Sequence, residues 1–222
     1  MNTVLSGPTG LRRAGRRVRA VAALFATNAS GTVFGQIALL LAIPIQLRSL
    51  GVESFGLLAL FNTCVLAHTL TDAGVNTATL RFVARSHNHP ALLQHVVSSA
   101  LTALVALSVA VVATACVLAV ALGSEPVAGG LAPSTFVLCV ALALVGSMLA
   151  AFAMNLLKGL RRYRLFAGVE TLNRVMLPVV ATLAAVLTGE IADTLKLTTA
   201  WLLAAALGTL GLVSACTGLR LR

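Results

Sequence analysis

Six long apolar runs, separated by connectors of a few polar residues, constrain this chain more than any other feature. They cover about residues 30–47, 55–82, 92–122, 135–157, 165–187 and 197–219. A membrane crossing takes about 20 apolar residues as a helix, so six runs in 222 residues leave no room for a sizeable soluble domain. The runs are continuous rather than alternating, which excludes a β-barrel and leaves helices as the spanning structure. The expected fold is all-α: a polytopic membrane protein of six transmembrane helices. Residues 28–222 form the membrane part and residues 1–27 a cytoplasmic arm.

Composition agrees. Only 10% of residues are charged and 59% are hydrophobic, against about 25% charged in a soluble domain. A soluble enzyme, a disordered tail and a secreted disulfide module are all excluded. The four cysteines lie singly inside apolar runs, with no C-x-x-C, and are read as small hydrophobes.

The net charge of +10 would suggest nucleic acid in a soluble protein. Here the cations cluster between apolar runs and instead set topology. With the amino terminus inside, thirteen Lys and Arg fall in cytoplasmic segments and two, Arg48 and Lys196, outside. That asymmetry places both termini in the cytoplasm, and the Ala, Val, Gly and Arg bias suggests a bacterial inner membrane. In the arm, Leu11, Ala14, Val18, Val21, Ala22 and Phe25 share one helix face. Arg12, Arg13, Arg16, Arg17 and Arg19 take the other, a pattern suited to an anionic lipid surface.

Polar residues inside the spans carry the functional information, because each costs free energy in hydrocarbon. Glu170 and Arg174 lie four residues apart in the fifth run, in the favourable order for a same-face pair. Arg174 approaches the midplane, and Pro178 four residues later cannot donate to its carbonyl. The pair is either a neutralised structural element or a cation offered to an anionic substrate. The second run is apolar to Leu66, then carries His68, Thr69, Thr71, Asp72, Asn76, Thr77, Thr79 and Arg81. Such all-round polarity suits a water-filled vestibule. Asp72 there could pair a cation, bind a coupling ion (H⁺ or Na⁺) or cap a helix break near Gly74. Gln36, Asn62, Asn155 and Asn173 are interhelical links or substrate contacts. The cavity candidates are therefore Arg174, Glu170, Asp72, Arg81, Asn76 and Gln36. No catalytic motif or Walker loop occurs, the cytoplasmic loops lack Asp and Glu, and His87-x-His89 stands alone. No enzyme activity, metal or cofactor is expected.

Three segments carry a family resemblance. Asn28 to Ile37 leads through Ile43-Pro44-Ile45 to a loop reading L-G-x-E-x-F-G at Leu50, Gly51, Glu53, Phe55 and Gly56. A D-x-G-x-x-x-A-x-x-R run follows at Asp72, Gly74, Ala78 and Arg81, and a basic segment at Lys158, Arg161, Arg162 and Arg164. Together they resemble the amino-terminal lobe of bacterial polysaccharide and O-antigen (Wzx-type) flippases, in the multidrug/oligosaccharidyl-lipid/polysaccharide superfamily, over about residues 28–220. The resemblance implies flipping of an undecaprenyl-pyrophosphate-linked oligosaccharide by alternating access between two six-helix lobes. Arg174 and Arg81 would then serve the pyrophosphate. Family members have about twelve to fourteen helices, so this six-helix chain is expected to be a fragment, a truncated frame or a half-transporter that dimerises. A cation antiporter lobe and a non-transporting membrane scaffold are the alternatives.

Overall fold

In the computed structural model, residues 8–67, 74–86, 89–123, 125 and 130–217 are described, with side-chain environments from Gly31 onward. They form six helices: α1 (Pro8–Leu66), α2 (Val75–Ser86), α3 (Pro90–Leu122), α4 (Pro133–Gly159), α5 (Tyr163–Thr188) and α6 (Ile191–Thr217). Five segments are long and apolar enough to cross a bilayer: Gly31–Leu66, Ala91–Leu122, Pro133–Gly159, Tyr163–Thr188 and Ile191–Ala215. The all-α polytopic expectation holds at that level. The starts of α3 and α4 follow from Pro90 and Pro133. Proline fits the first helical turn, where its missing N–H has no helical partner anyway.

Two expected boundaries differ. The basic arm and the first apolar run are one helix, and Gly51 is the one non-helical position inside α1. The residues of the arm therefore continue the first span without a break of their own. Pro44 lies inside α1 and does not interrupt it.

The second run is two helices rather than one. It begins after Gly51 (φ 79°, ψ 168°), in a backbone region open to glycine but costly for other residues. Helix α1 ends at Leu66, and α2 begins at Val75 after Gly74 (φ 79°). The physical reason is polarity. The α2 sequence VNTATLRFVARS is amphipathic and too short to span alone.

Side-chain contacts show that the chain reverses at Gly51. Gln46 lies level with Thr182, near the carboxyl end of α5. A methyl group on Gly159, at the carboxyl end of α4, would collide with Val83 of α2. Because α5 starts where α4 ends, these are opposite ends of the bundle, and residues 52–67 and 74–86 lie on the return between them.

Helix α4 is the hub and touches each of the other five among the described residues. Two apolar cores stack along it. Leu58, Phe61, Val65, Leu131, Cys139, Ala143, Ile191 and Leu195 pack at the end where α4 begins. Val83, Leu93, Val97, Leu104, Met148, Phe152, Leu156, Leu157, Phe166 and Val213 pack at the end where it finishes. Hydroxyls within the spans bond back to their own helix. Thr63 donates to the Ala59 carbonyl, Ser108 to Leu104, Thr198 to Thr194 and Thr209 to Ala205. Each is thereby satisfied without water. Outward faces of α1 and α3 carry Phe34, Leu40, Leu41, Val117 and Val120 exposed, as a lipid-facing surface requires. Cys139 is buried and Cys64 half-buried, but Cys116 is exposed on α3.

Candidate functional site

The site is built on the seam between α1 and α5, which run parallel. The Gly31-x-x-x-Gly35 spacing puts both glycines on one face of α1, one helical turn apart. A methyl group at Gly31 would collide with the Thr171 hydroxyl, and one at Gly35 would come within 3.1 Å of the Arg174 Cβ. The two backbones approach closely because these positions lack side chains, the small-residue packing that helices use in lipid.

This approach brings α1 to the charged pair. Arg174 Nη2 donates to Glu170 Oε1 at 2.5 Å, the i,i+4 pair expected from spacing alone. Arg174 Nη1 donates to Thr32 Oγ1 on α1 at 2.7 Å. The Arg174 side chain remains 42% exposed, while that of Glu170 is 20% exposed. Glu170 Oε2 is buried and has no hydrogen-bond partner among the described residues. The guanidinium is thus clamped on one side and open on another.

A second polar link lies farther along the same seam. Gln46 Nε2 donates to Thr182 Oγ1 at 3.0 Å, and that hydroxyl donates to the Pro178 carbonyl at 2.7 Å. Pro178 is buried and provides no N–H for the Arg174 carbonyl one turn earlier. Gly35 packs beside that carbonyl.

Depth follows from helix rise. Arg174 is eleven residues from the start of α5, or about 16 Å at 1.5 Å per residue. Gly74 is twelve residues from the end of α2, or about 18 Å. Both distances start from the same end of the bundle. The charged pair and the break in the second run therefore share a level about halfway through a hydrocarbon core of roughly 30 Å.

The other expected residues are distributed unevenly. Gln36 lies one turn after Thr32 on α1 and is exposed, so it extends the polar face of the pair. Asn76 is buried, on the face of α2 that also carries Thr79, Val83 and Ser86. Arg81 is exposed on α2. Helix α2 touches α3 and α4 but neither α1 nor α5 among the described residues. Asn76 and Arg81 are therefore not brought to Arg174. Asp72 and His68 lie outside the described residues. No group of three or more His, Cys, Asp or Glu able to hold a metal occurs among the described residues.

Sequence reasoning missed Thr32, Thr171, Gln46 and Thr182. Gln46 carried a usable signal, a lone amide near the end of an apolar run. Thr32 carried none, because a threonine inside a span usually bonds its own helix. An apolar cavity of about 480 Å³ lies between α3, α4 and the part of α1 after Gly51, lined by Cys64, Val111, Thr114, Phe136, Val140 and Leu144 among others. The charged pair is not part of it.

Comparison with known proteins adds one finding. The model of a family described as polysaccharide biosynthesis protein matches residues 22–217. No curated protein and no solved structure matches.

Proposed function

The chain belongs to the polysaccharide biosynthesis protein family, and from that premise we propose that it forms one lobe of a flippase for a lipid-linked oligosaccharide. Five of its described helices are long and apolar enough to cross a membrane, and on this reading the chain transports rather than catalyses. The substrate class proposed is an undecaprenyl-pyrophosphate-linked oligosaccharide, moved from the cytoplasmic to the outer leaflet of a bacterial inner membrane, with both chain termini cytoplasmic.

One observation carries this reading. A guanidinium stands at mid-depth, clamped by Thr32 and Glu170 yet 42% exposed. A charge in a span is expensive unless it faces a partner or an aqueous space. A purely structural pair would be closed on both sides, whereas Arg174 keeps donors available. Guanidinium matches phosphate oxygens in a forked geometry and stays charged at any physiological pH. Diphosphate is the anion that a lipid-linked sugar carries into the membrane.

Gln36, exposed one turn from Thr32, would offer an amide to the same headgroup. Asp72 and Arg81 would act from the vestibule of the second run. The facing wall of the cavity would come from a second six-helix lobe or a second copy of the chain.

The test is complementation in a strain lacking its flippase, with the chain supplied alone and with a matching second lobe. Surface polysaccharide should return with the native chain and be lost with Arg174→Gln at equal membrane abundance. Full restoration by Arg174→Gln would remove Arg174 from the site.

A further inference from the structure

We propose that the basic turn between α4 and α5 binds the phosphate headgroup of an anionic phospholipid, with Arg161 as a direct contact and Arg85 of α2 at its edge.

The turn carries Lys158, Arg161, Arg162 and Arg164. Arg161, Arg162 and Arg164 are exposed. Lys158 places its ammonium 4.3 Å from the centre of the Phe166 ring, so an aromatic face rather than an acid holds it. Gly159 packs against Val83 and the Leu80 carbonyl of α2. That contact brings the last turn of α2, with exposed Arg85 in it, level with the basic turn. Arg174 lies ten residues farther along α5 than Arg164, about 15 Å by helix rise, so this site is distinct from the charged pair.

No acidic side chain among the described residues balances these cations. No Asp or Glu occurs between Asp72 and Glu125, or between Glu125 and Glu170. The ion pairs among the described residues are Glu170–Arg174 and Asp193–Lys196. Clustered like charges repel, and the phosphates of an anionic leaflet supply the missing counter-charge.

The backbone at Arg161 marks the turn as more than a topology signal. Arg161 has φ 58°. Its N–H bonds the Lys158 carbonyl at 3.0 Å, and the Arg162 N–H bonds that of Leu157 at 2.9 Å, so the turn dictates this conformation. Glycine is the usual residue there, and any other costs backbone energy. Orientation across the membrane needs cations in the connector, not a cation at the strained position. An exposed arginine kept there, with no acid to meet, is available to a ligand outside the chain. Guanidinium groups fork onto phosphate oxygens.

The surroundings favour a lipid phosphate over a soluble one. The turn joins two segments able to span, Pro133–Gly159 and Tyr163–Thr188, which places it at headgroup level. Tyr163, between Arg162 and Arg164, is 43% exposed. Its ring suits the boundary between headgroups and hydrocarbon.

The probe is phosphatidylglycerol added to the full chain in detergent. Phosphatidylcholine is the zwitterionic reference and inorganic diphosphate the soluble one. A ligand that binds the folded chain raises its unfolding temperature. Phosphatidylglycerol should do so, and the two references should not. Arg161→Gly should unfold at a higher temperature than the native chain without lipid. It should nevertheless bind phosphatidylglycerol about fivefold more weakly, the effect of losing one cation near a headgroup. Arg48→Gln removes one cation near the opposite end of the bundle and should bind as the native chain does. On the native chain, phosphatidylglycerol with a photoreactive headgroup should label the peptide from Lys158 to Phe166, a readout that needs no variant. Equal weakening in Arg48→Gln and Arg161→Gly would reduce the effect to overall charge and overturn the site. So would unchanged affinity in Arg161→Gly, labelling only outside the turn, or no preference over phosphatidylcholine. An equal shift with inorganic diphosphate would overturn the assignment to lipid.

Discussion

Gly35 of α1 lies against Arg174 of α5 so closely that a methyl group on the glycine would sit 3.1 Å from the arginine Cβ. The same approach lets Thr32 accept from the guanidinium at 2.7 Å. The packing of two helices and the positioning of a mid-membrane cation are therefore one feature, and substitutions on the seam should disturb both.

Gly31→Val should lower stability by about 1–3 kcal/mol, the usual effect of forcing bulk into a packed contact, and should loosen Arg174 through the loss of Thr32. Gly56→Ala is the control. Nothing lies within 4 Å of a methyl group there, so the helix should gain about 0.5–1 kcal/mol from the better helix former. Thermal unfolding in detergent measures both, and equal shifts would show that the seam is not close-packed.

The pair separates structural from functional roles when its members are changed together. Arg174→Gln alone leaves Glu170 without its cation. It should destabilise the chain by less than the roughly 3–5 kcal/mol of a fully buried pair, since Arg174 is 42% exposed. Adding Glu170→Gln removes the orphaned charge and should restore membrane abundance. Surface polysaccharide should not return with it. If the double variant recovers both, the pair is structural alone.

Arg161 occupies a left-handed position (φ 58°) after the end of α4. The Arg162 N–H bonds the Leu157 carbonyl at 2.9 Å and the Arg161 N–H bonds that of Lys158 at 3.0 Å. This is the helix-ending motif in which glycine is the usual residue. Arg161→Gly should raise the unfolding temperature, reflecting relief of about 1 kcal/mol of backbone strain. A fall in unfolding temperature would mean that the arginine side chain contributes more than its backbone costs.

Orientation can be read by labelling intact cells. In a chain without native cysteines, Glu125→Cys, in the connector between α3 and α4, should react with a membrane-impermeant thiol reagent. Arg162→Cys, between α4 and α5, should react after the cells are opened. The reverse pattern would invert the topology that the basic residues set.

Local spacing explains what was legible in advance. The Glu170–Arg174 contact depends on a four-residue interval within one helix, so it could be read directly. The break near Gly74 was signalled by polar residues crowded after Leu66, although a single run was expected there. The role of Asn76 was not legible. Its polarity suggested a cavity, but it is buried on the packing face of α2. A polar residue in a span can face either way, and only the neighbouring helix decides which.

By itself the sequence determined six apolar runs, the asymmetry of charge between their connectors, and an ion pair within the fifth. These follow from hydrophobicity, charge count and helical period, which act along the chain. The tertiary structure alone decided that α1 packs on α5, that Thr32 holds the guanidinium, and that α2 stays with α3 and α4, away from it. The Thr32–Arg174 contact joins residues 142 positions apart, and all of these contacts depend on which helix faces fit together, not on spacing along the chain.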